Sequence, residues 1–255
     1  MKILSIFLMF LLFASASAFA ASELDAQSLR KLLRENPDIV LDVLRDNSEI
    51  VLDIAQQGSN LKRKANLEAQ WREDMKKKKD IRLDNRPILG RPDAKVKIVA
   101  FSDFSCHFCE QASRTVDTLL KEFGPDTALI FKNMPLDDKG PGAQASAWFV
   151  AIAQQSEPLA WDFYKAMYAN RDNLLAEGDK FIEQTAINLG VDMKRARKDL
   201  ESKKVKDILA QDLDDGQKLG VEGTPYFVVN DLVIRGALPL DLFRNAVELA
   251  LKNSK

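Results

Sequence analysis

The chain has 255 residues, of which 46% are hydrophobic and 29% are charged, and its formal net charge is −1. This near balance of acidic and basic side chains argues against a nucleic acid as the partner. The length is ample for one domain of good size together with an appendage.

The first segment, residues 1–20, has the pattern of a secretory signal peptide. Lys2 precedes an almost unbroken apolar run over residues 3–13, and the small residues Ala18 and Ala20 predict cleavage after Ala20. The apolar run is too short for a membrane-spanning helix. We therefore expect a periplasmic protein, in a compartment where disulfide bonds persist.

Residues 21–58 are predicted to form a small helical arm. Residues 33–42 and residues 44–53 form an internal repeat of similar sequence, and Asn36 followed by Pro37 is typical of a helix start, with Asn as the N-cap. The predicted apolar faces have little local partner, so we expect a homo-oligomer joined through residues 24–57. The alternative is that the arm folds back onto its own domain.

A charged segment over residues 59–84 separates this arm from the rest of the chain. Its apolar residues are sparse, which predicts an exposed helical linker. Two prolines and a glycine within residues 83–92 then mark a domain boundary.

Residues 85–255 predict an α/β domain made of a β-α-β unit, a helical insertion at about residues 140–218, and a β-β-α end. The strand, helix, strand order implies a parallel strand pair. The predicted strands cover residues 96–101, 128–134, 226–230 and 232–235, and the flanking helices cover residues 106–123 and 239–252.

The most informative motif is Cys106-His107-Phe108-Cys109, which contains the only two cysteines and the only histidine. It follows an apolar strand and opens a helix, a context typical of a redox dithiol. A structural disulfide in so short a loop would stabilise the fold little. We predict Cys106 at or beside the helix N-cap, as the exposed nucleophile of low pKa. A protonated His107 would lower this pKa further, and Cys109 is the predicted buried resolving thiol.

Three blocks resemble the DsbA-like thiol–disulfide oxidoreductases of the thioredoxin fold. They are residues 101–109, residues 161–168 in the insertion, and residues 219–230, which look like the cis-proline loop of that family. The resemblance implies a thioredoxin fold with a helical insertion. It also implies a cis bond between Thr224 and Pro225 and substrate contacts by Gly223, Thr224, Pro225 and Phe108.

Two details modify the resemblance. Many relatives carry Pro-His, Pro-Tyr or Gly-Tyr between the cysteines, whereas this chain carries His107 and Phe108, so its oxidising strength stays open. The arm resembles, over a shorter stretch, the oligomerisation segment of ScsC-type proteins (suppressor of copper sensitivity protein C).

Three functions remain open at this point. The arm favours an oligomeric disulfide isomerase or reductase that acts on exported proteins with cysteines. A monomeric dithiol oxidase is the second possibility. The third is a Cu(I)-binding protein, because two thiolates suit a soft metal ion. The resemblance implies a membrane redox partner, DsbB-like or DsbD-like. The sequence predicts no dedicated metal site and, without a glycine-rich phosphate loop, no dissociable cofactor.

Overall fold

The computed structural model describes residues 25–254, so the predicted signal peptide over residues 1–20 lies outside the described residues. The chain divides into two compact units between Lys62 and Arg63. Across residues 25–254, none of the helices combines the length and the apolar character needed to cross a membrane.

The N-terminal unit is helical, with α1 over Ala26–Glu35, α2 over Pro37–Asp46 and the start of the long helix α3, Ser48–Asp74. The helix start predicted at Pro37 is confirmed, and Asn36 occupies the N-cap position. Its side chain, however, donates to the carbonyl oxygen of Leu32 at 2.9 Å, so it closes α1 rather than capping α2. Asn47 repeats this contact one helix later, at 2.8 Å from the carbonyl oxygen of Val43.

The apolar faces predicted for these helices are exposed on the single chain, and neither α1 nor α2 contains a buried residue. In the described part of the N-terminal unit, the exposed large hydrophobic side chains are Leu29, Leu32, Ile39, Val40, Leu41, Val43, Leu44, Ile50, Val51, Leu52, Ile54 and Leu61.

The second unit is built on a five-stranded sheet of order β1-β3-β2-β4-β5. The central strands β2 and β3 are parallel, as predicted, and Ser102 at the end of β2 faces Asn133 at the end of β3. The other pairs are antiparallel. The strands are β1 Ile88–Gly90, β2 Val96–Ser102, β3 Thr127–Asn133, β4 Tyr226–Val229 and β5 Leu232–Arg235.

Helices connect β2 to β3 and β3 to β4. Between β2 and β3 lies α4, His107–Phe123, which ends at Gly124 as predicted. The insertion between β3 and β4 contains the predicted helices together with α7 and α9, which the sequence analysis missed. The remaining helices are α5 Pro141–Ala153, α6 Glu157–Ala169, α7 Arg171–Glu177, α8 Asp179–Asn188, α9 Met193–Leu200, α10 Lys203–Lys218 and α11 Leu240–Asn253.

An aromatic cluster joins the sheet to the insertion. Phe104 is fully buried, and its ring centroid lies 4.9 Å from that of Phe131 on β3 and 5.1 Å from that of Tyr168 on α6. Buried aromatic pairs at such distances stabilise a core beyond their area alone. The cluster therefore fixes Phe104, and with it the segment that leads into Cys106.

The prediction of an exposed linker over residues 59–84 is wrong for its C-terminal part. Trp71 is fully buried, and its indole nitrogen donates to the carbonyl oxygen of Val233 on β5 at 3.0 Å. Arg82 pairs with Asp215 on α10. The few apolar residues of this segment do not show that part of it is buried, because the partners Val233 and Asp215 lie far along the chain.

A buried ion network ties β3 to α10. The ammonium group of Lys132 lies 2.7 Å from Asp212 Oδ1 and 2.7 Å from Asp215 Oδ2, and Arg86 lies 2.6 Å from Asp212 Oδ1. The side chains of Lys132 and Asp212 are fully buried. Buried charges persist only when they are paired and hydrogen-bonded, so each member of this network depends on the others.

Candidate dithiol site

Cys106 occupies the N-cap of α4, as predicted from its place between strand and helix. Its backbone is extended, with φ −77° and ψ 125°, and its carbonyl oxygen accepts the first helical hydrogen bond, from Glu110 N at 3.1 Å. The side chain is half-buried rather than fully exposed. The helix N-terminus therefore presents unpaired backbone N–H groups and a positive dipole end to the sulfur.

The loop before Cys106 is held by Asp103, whose carboxylate is buried. One oxygen accepts from the backbone N–H and the hydroxyl of Ser105, both at 2.8 Å, and the other accepts from Leu136 N at 3.0 Å. Arg171 of α7 donates to the carbonyl oxygen of Ser105 at 2.7 Å. A side chain on Gly142 would clash here, because a Cβ would lie 2.0 Å from Asp103 Oδ1.

The two thiols have opposite acidities. The pKa of Cys106 falls to about 6, first because Cys109 hydrogen-bonds to its sulfur, and further because of hydrogen bonds from Thr224 and from the backbone of Phe108. Burial raises the pKa of Cys109 far above its usual range, and its hydrogen bond to Cys106 acts in the same direction. The pair is thus arranged as one ionised nucleophile and one protonated thiol.

The loop that resembles a cis-proline loop abuts the dithiol. The Thr224–Pro225 peptide bond is cis, which confirms that prediction. The carbonyl oxygen of Thr224 lies 3.5 Å from Cys106 Sγ. Pro225 has no N–H to donate, and its carbonyl oxygen accepts from Gly236 N at 2.8 Å. A Cβ on Gly223 would meet open space, so nothing crowds that side of the loop.

The two residues between the cysteines are exposed. The Phe108 side chain is 59% exposed, which makes an apolar surface available beside Cys106. The His107 ring places Nε2 at 2.9 Å from the side-chain nitrogen of Gln111 and Nδ1 at 3.7 Å from Glu110 Oε2. The predicted effect of His107 on the pKa of Cys106 and the substrate contacts of Phe108, Gly223, Thr224 and Pro225 stay predictions.

Sequence reasoning missed several polar residues that surround the dithiol. Ser102 and Tyr168 are buried, and their hydroxyl oxygens lie 2.8 Å apart. Asp103 and Arg171 were also not singled out. Ser102, Tyr168 and Arg171 acquire their partners from distant segments. The only local signal is a polar residue at the end of strand β2.

An ionised cysteine at a helix N-terminus, a buried partner one turn later and a cis-proline loop against the sulfur define a thiol–disulfide exchange centre. The family model described as Thioredoxin matches residues 83–249. The chain belongs to the thioredoxin family and is a DsbA-like thiol–disulfide oxidoreductase whose redox pair is Cys106 and Cys109.

Among curated relatives, Probable disulfide bond formation protein D of Bacillus anthracis is 32% identical over 173 residues, which cover 64% of this chain and 77% of the relative. Among solved structures, a thioredoxin-like oxidoreductase from Silicibacter pomeroyi is 28% identical, covers 66% of this chain and 94% of its own, and has a TM-score of 0.59.

Proteus mirabilis ScsC in a transitional conformation shares the fold over a longer stretch. It is 21% identical, covers 88% of this chain and 98% of its own, and has a TM-score of 0.59. The shared architecture therefore extends beyond the region that the family model matches.

The reaction at such a centre proceeds in two exchanges. The geometry allows the Cys106 thiolate to attack a disulfide, which forms a mixed disulfide and releases one sulfur as a thiolate. Attack of Cys109 on the Cys106 sulfur would then close the Cys106–Cys109 disulfide and release the second sulfur. Both steps run in reverse when the oxidised pair donates its disulfide to a dithiol.

Proposed function

We propose that this chain is an extracytoplasmic disulfide isomerase or reductase that works as an oligomer joined through its N-terminal arm. The observation that carries the proposal is the set of exposed apolar side chains on α2 and the first half of α3, such as Val43, Ile50 and Ile54. An apolar surface of this size on a short arm is unfavourable in water unless another surface covers it. A second copy of the same arm offers a matching surface.

Oligomerisation favours isomerase over oxidase chemistry. An assembly places several Cys106 thiolates within reach of one misfolded client, so a wrong disulfide released by one centre can be attacked by the next. Isomerisation requires the reduced dithiol. The depressed pKa of Cys106 stabilises that reduced form as a thiolate at neutral pH.

The cellular setting follows from the same chemistry. The clients are exported proteins with cysteines, and a membrane redox partner of DsbD-like type would supply electrons to keep the dithiol reduced, whereas a DsbB-like partner would accept them from an oxidase. The signal-peptide pattern over residues 1–20 supports a periplasmic location. A structural neighbour from Salmonella enterica serovar Typhimurium is described as a periplasmic thioredoxin-like protein.

Adding charge to the arm tests this proposal. The double variant Val43→Asp with Ile54→Asp is expected to run as a single chain in light scattering, whereas the unchanged protein runs as a multiple of it. Reactivation of scrambled ribonuclease should fall about tenfold or more, because a client released by one dithiol no longer meets a second dithiol of the same assembly. Oxidation of a small dithiol peptide should not change, since each dithiol is intact.

The matched control adds the same two charges at polar exposed positions of α3, in Gln56→Asp with Asn60→Asp. It should keep the oligomer and the reactivation rate. An unchanged protein that is already a single chain at micromolar concentration would overturn the oligomer proposal and favour the monomeric oxidase. Tight Cu(I) binding without any thiol exchange would favour the copper-binding alternative.

A further inference from the structure

One cation is anchored directly beside the loop that leads into the dithiol. Arg171, the first residue of α7, donates from Nε to the carbonyl oxygen of Ser105 at 2.7 Å. Ser105 immediately precedes Cys106, so this carbonyl group belongs to the peptide bond that joins the two residues. The Arg171 side chain is 17% exposed. The guanidinium is therefore held largely within the protein, next to the residue that attacks a disulfide.

The rest of this guanidinium has hydrogen-bonding capacity to spare. Its Nη1 lies 3.3 Å from Asp172 Oδ1, but the Asp172 side chain is 95% exposed, so water screens the pair. Its Nη2 makes no hydrogen bond within residues 25–254, and it does not belong to the fully buried unpaired polar atoms of that range. Two of the five N–H donors of a guanidinium lie on this nitrogen, so both are free and open to solvent.

Apolar side chains flank the same loop. Phe108 is 59% exposed, and Leu136, whose backbone N–H donates to the Asp103 carboxylate, is 64% exposed. Apolar contacts of this kind accept many client side chains, and they do not distinguish one charge from another. Arg171 adds a permanent positive charge to this surface. It can therefore select among clients by the charge that they carry near the reacting cysteine.

We propose that Arg171 is a specificity-determining residue that binds a carboxylate of the client close to the cysteine that Cys106 attacks. A guanidinium binds a carboxylate through charge-assisted hydrogen bonds. Ser105 holds this guanidinium in place before a client arrives, so little conformational freedom is lost when the carboxylate binds. Client cysteines with a nearby glutamate or aspartate therefore react faster than those with neutral neighbours.

The exchange step itself is the one already described. The Cys106 thiolate forms a bond to the client sulfur, the disulfide bond of the client breaks, and the leaving sulfur departs as a thiolate that takes up a proton. Arg171 makes and breaks no covalent bond, and it acts by orienting the client. The inference rests on exchange by Cys106 and does not require the oligomeric isomerase.

The test uses the full reduced chain and short peptides whose single cysteine carries a 2-pyridyl disulfide. Attack of Cys106 on the peptide sulfur releases 2-thiopyridone, whose absorbance gives the rate of the first exchange. Glutamate, glutamine and lysine are compared at each position close to the peptide cysteine, at low ionic strength. Each ratio of rates is divided by the same ratio for 2-mercaptoethanol, so the reactivity of the peptide itself cancels.

At the best position, glutamate is expected to react about fivefold faster than glutamine, near the upper limit for a solvent-screened charge pair. Lysine should react more slowly than glutamine there. In Arg171→Gln the ratio of glutamate to glutamine rates should fall to about one. In the unchanged protein the ratio should decrease as salt is added, because salt screens exposed charges.

The matched control is Arg195→Gln on α9. Arg195 also donates to a backbone carbonyl oxygen, that of Gln154 at 2.7 Å, and pairs with a nearby carboxylate, that of Asp199. This variant should keep the full preference for glutamate. If Arg171→Gln does not fold, Arg171→Met, which keeps an apolar stem, takes its place.

An arginine that only holds the loop would give a different result. Its loss would change the rates of all peptides alike and leave the ratio of glutamate to glutamine rates as it was, which would overturn the inference. An unchanged protein that reacts equally with glutamate and glutamine peptides would overturn it as well. A protein inert to every peptide would refute exchange by Cys106 itself, and the inference with it.

Discussion

Cys109→Ser is expected to turn the protein into a trap that accumulates mixed disulfides with its clients, whereas Cys106→Ser abolishes exchange. Cys106 is half-buried at the N-cap of α4 and has the lowered pKa, so it makes the first attack. Cys109 is 1% exposed, so a bulky client reaches it only through Cys106, and its loss removes the resolving step alone. Non-reducing gels and mass spectrometry after incubation with scrambled ribonuclease measure both outcomes.

The two serine variants serve as controls for each other, because each removes one sulfur from the same turn of helix. Net transfer of a disulfide should fall to the uncatalysed rate in both, because it requires both sulfurs. Only Cys109→Ser should show a ribonuclease adduct that reductant releases. An adduct on Cys106→Ser instead would show that the roles of the two thiols are reversed.

Asp212→Ala is expected to destabilise the fold by about 3–5 kcal/mol, the cost of breaking a buried ion pair by removing one partner. Asp212 pairs with Lys132 and Arg86 and accepts from the backbone N–H of Asn133 at 2.9 Å. Its loss leaves two cations buried against α10 with less than their full set of partners. Urea unfolding of the reduced protein, followed by circular dichroism, measures the change in free energy of unfolding.

The matched control is Asp207→Ala on the same helix, whose carboxylate pairs with Lys203 at the surface. Exposed pairs contribute only about 0–1 kcal/mol. Adding Lys132→Met to Asp212→Ala should recover part of the lost stability, because it removes one of the uncompensated charges. Equal midpoints for Asp212→Ala and Asp207→Ala would show that the network does not stabilise the fold.

The parts of the fold that the sequence predicted are those with a strong local pattern. Strands β2 and β3 are mostly apolar, and α4 has a clear start at the dithiol and a clear end at Gly124. Strand β1 was missed because it has only three residues. Trp71 was placed in an exposed linker because its partner Val233 lies 162 positions along the chain. A local sequence pattern does not predict contacts between residues so far apart along the chain.

The candidate site divides in the same way. The cysteine spacing and the loop around Thr224 and Pro225 are short motifs, so the sequence alone predicts both. The contact between Ser102 and Tyr168 joins residues 66 positions apart, and Lys132 and Asp215 are 83 positions apart. Neither residue pair has a local signature, because a lysine in a strand and a tyrosine in a helix are ordinary until the tertiary fold brings their partners to them.

The pH dependence of Cys106 ionisation follows from its lowered pKa. An unperturbed cysteine titrates near 9.0, whereas Cys106 titrates near 6. The thiolate therefore stabilises the reduced fold fully above pH 9.0, and this stabilisation declines as the pH falls towards 6 and is absent below it. Over the same pH window, a rise in pH favours reduction of the Cys106–Cys109 disulfide more than it favours reduction of a disulfide between two cysteines of ordinary pKa.

The most direct measurement is the rate of iodoacetamide alkylation of Cys106 as a function of pH in reduced protein, read by mass spectrometry. The thiolate is the reactive form, so the alkylation rate should fall as the pH is lowered, with a midpoint near pH 6. Cys109 should stay unmodified at every pH. A midpoint close to 9.0, the value of an unperturbed cysteine, would contradict the assignment of Cys106 as an activated nucleophile.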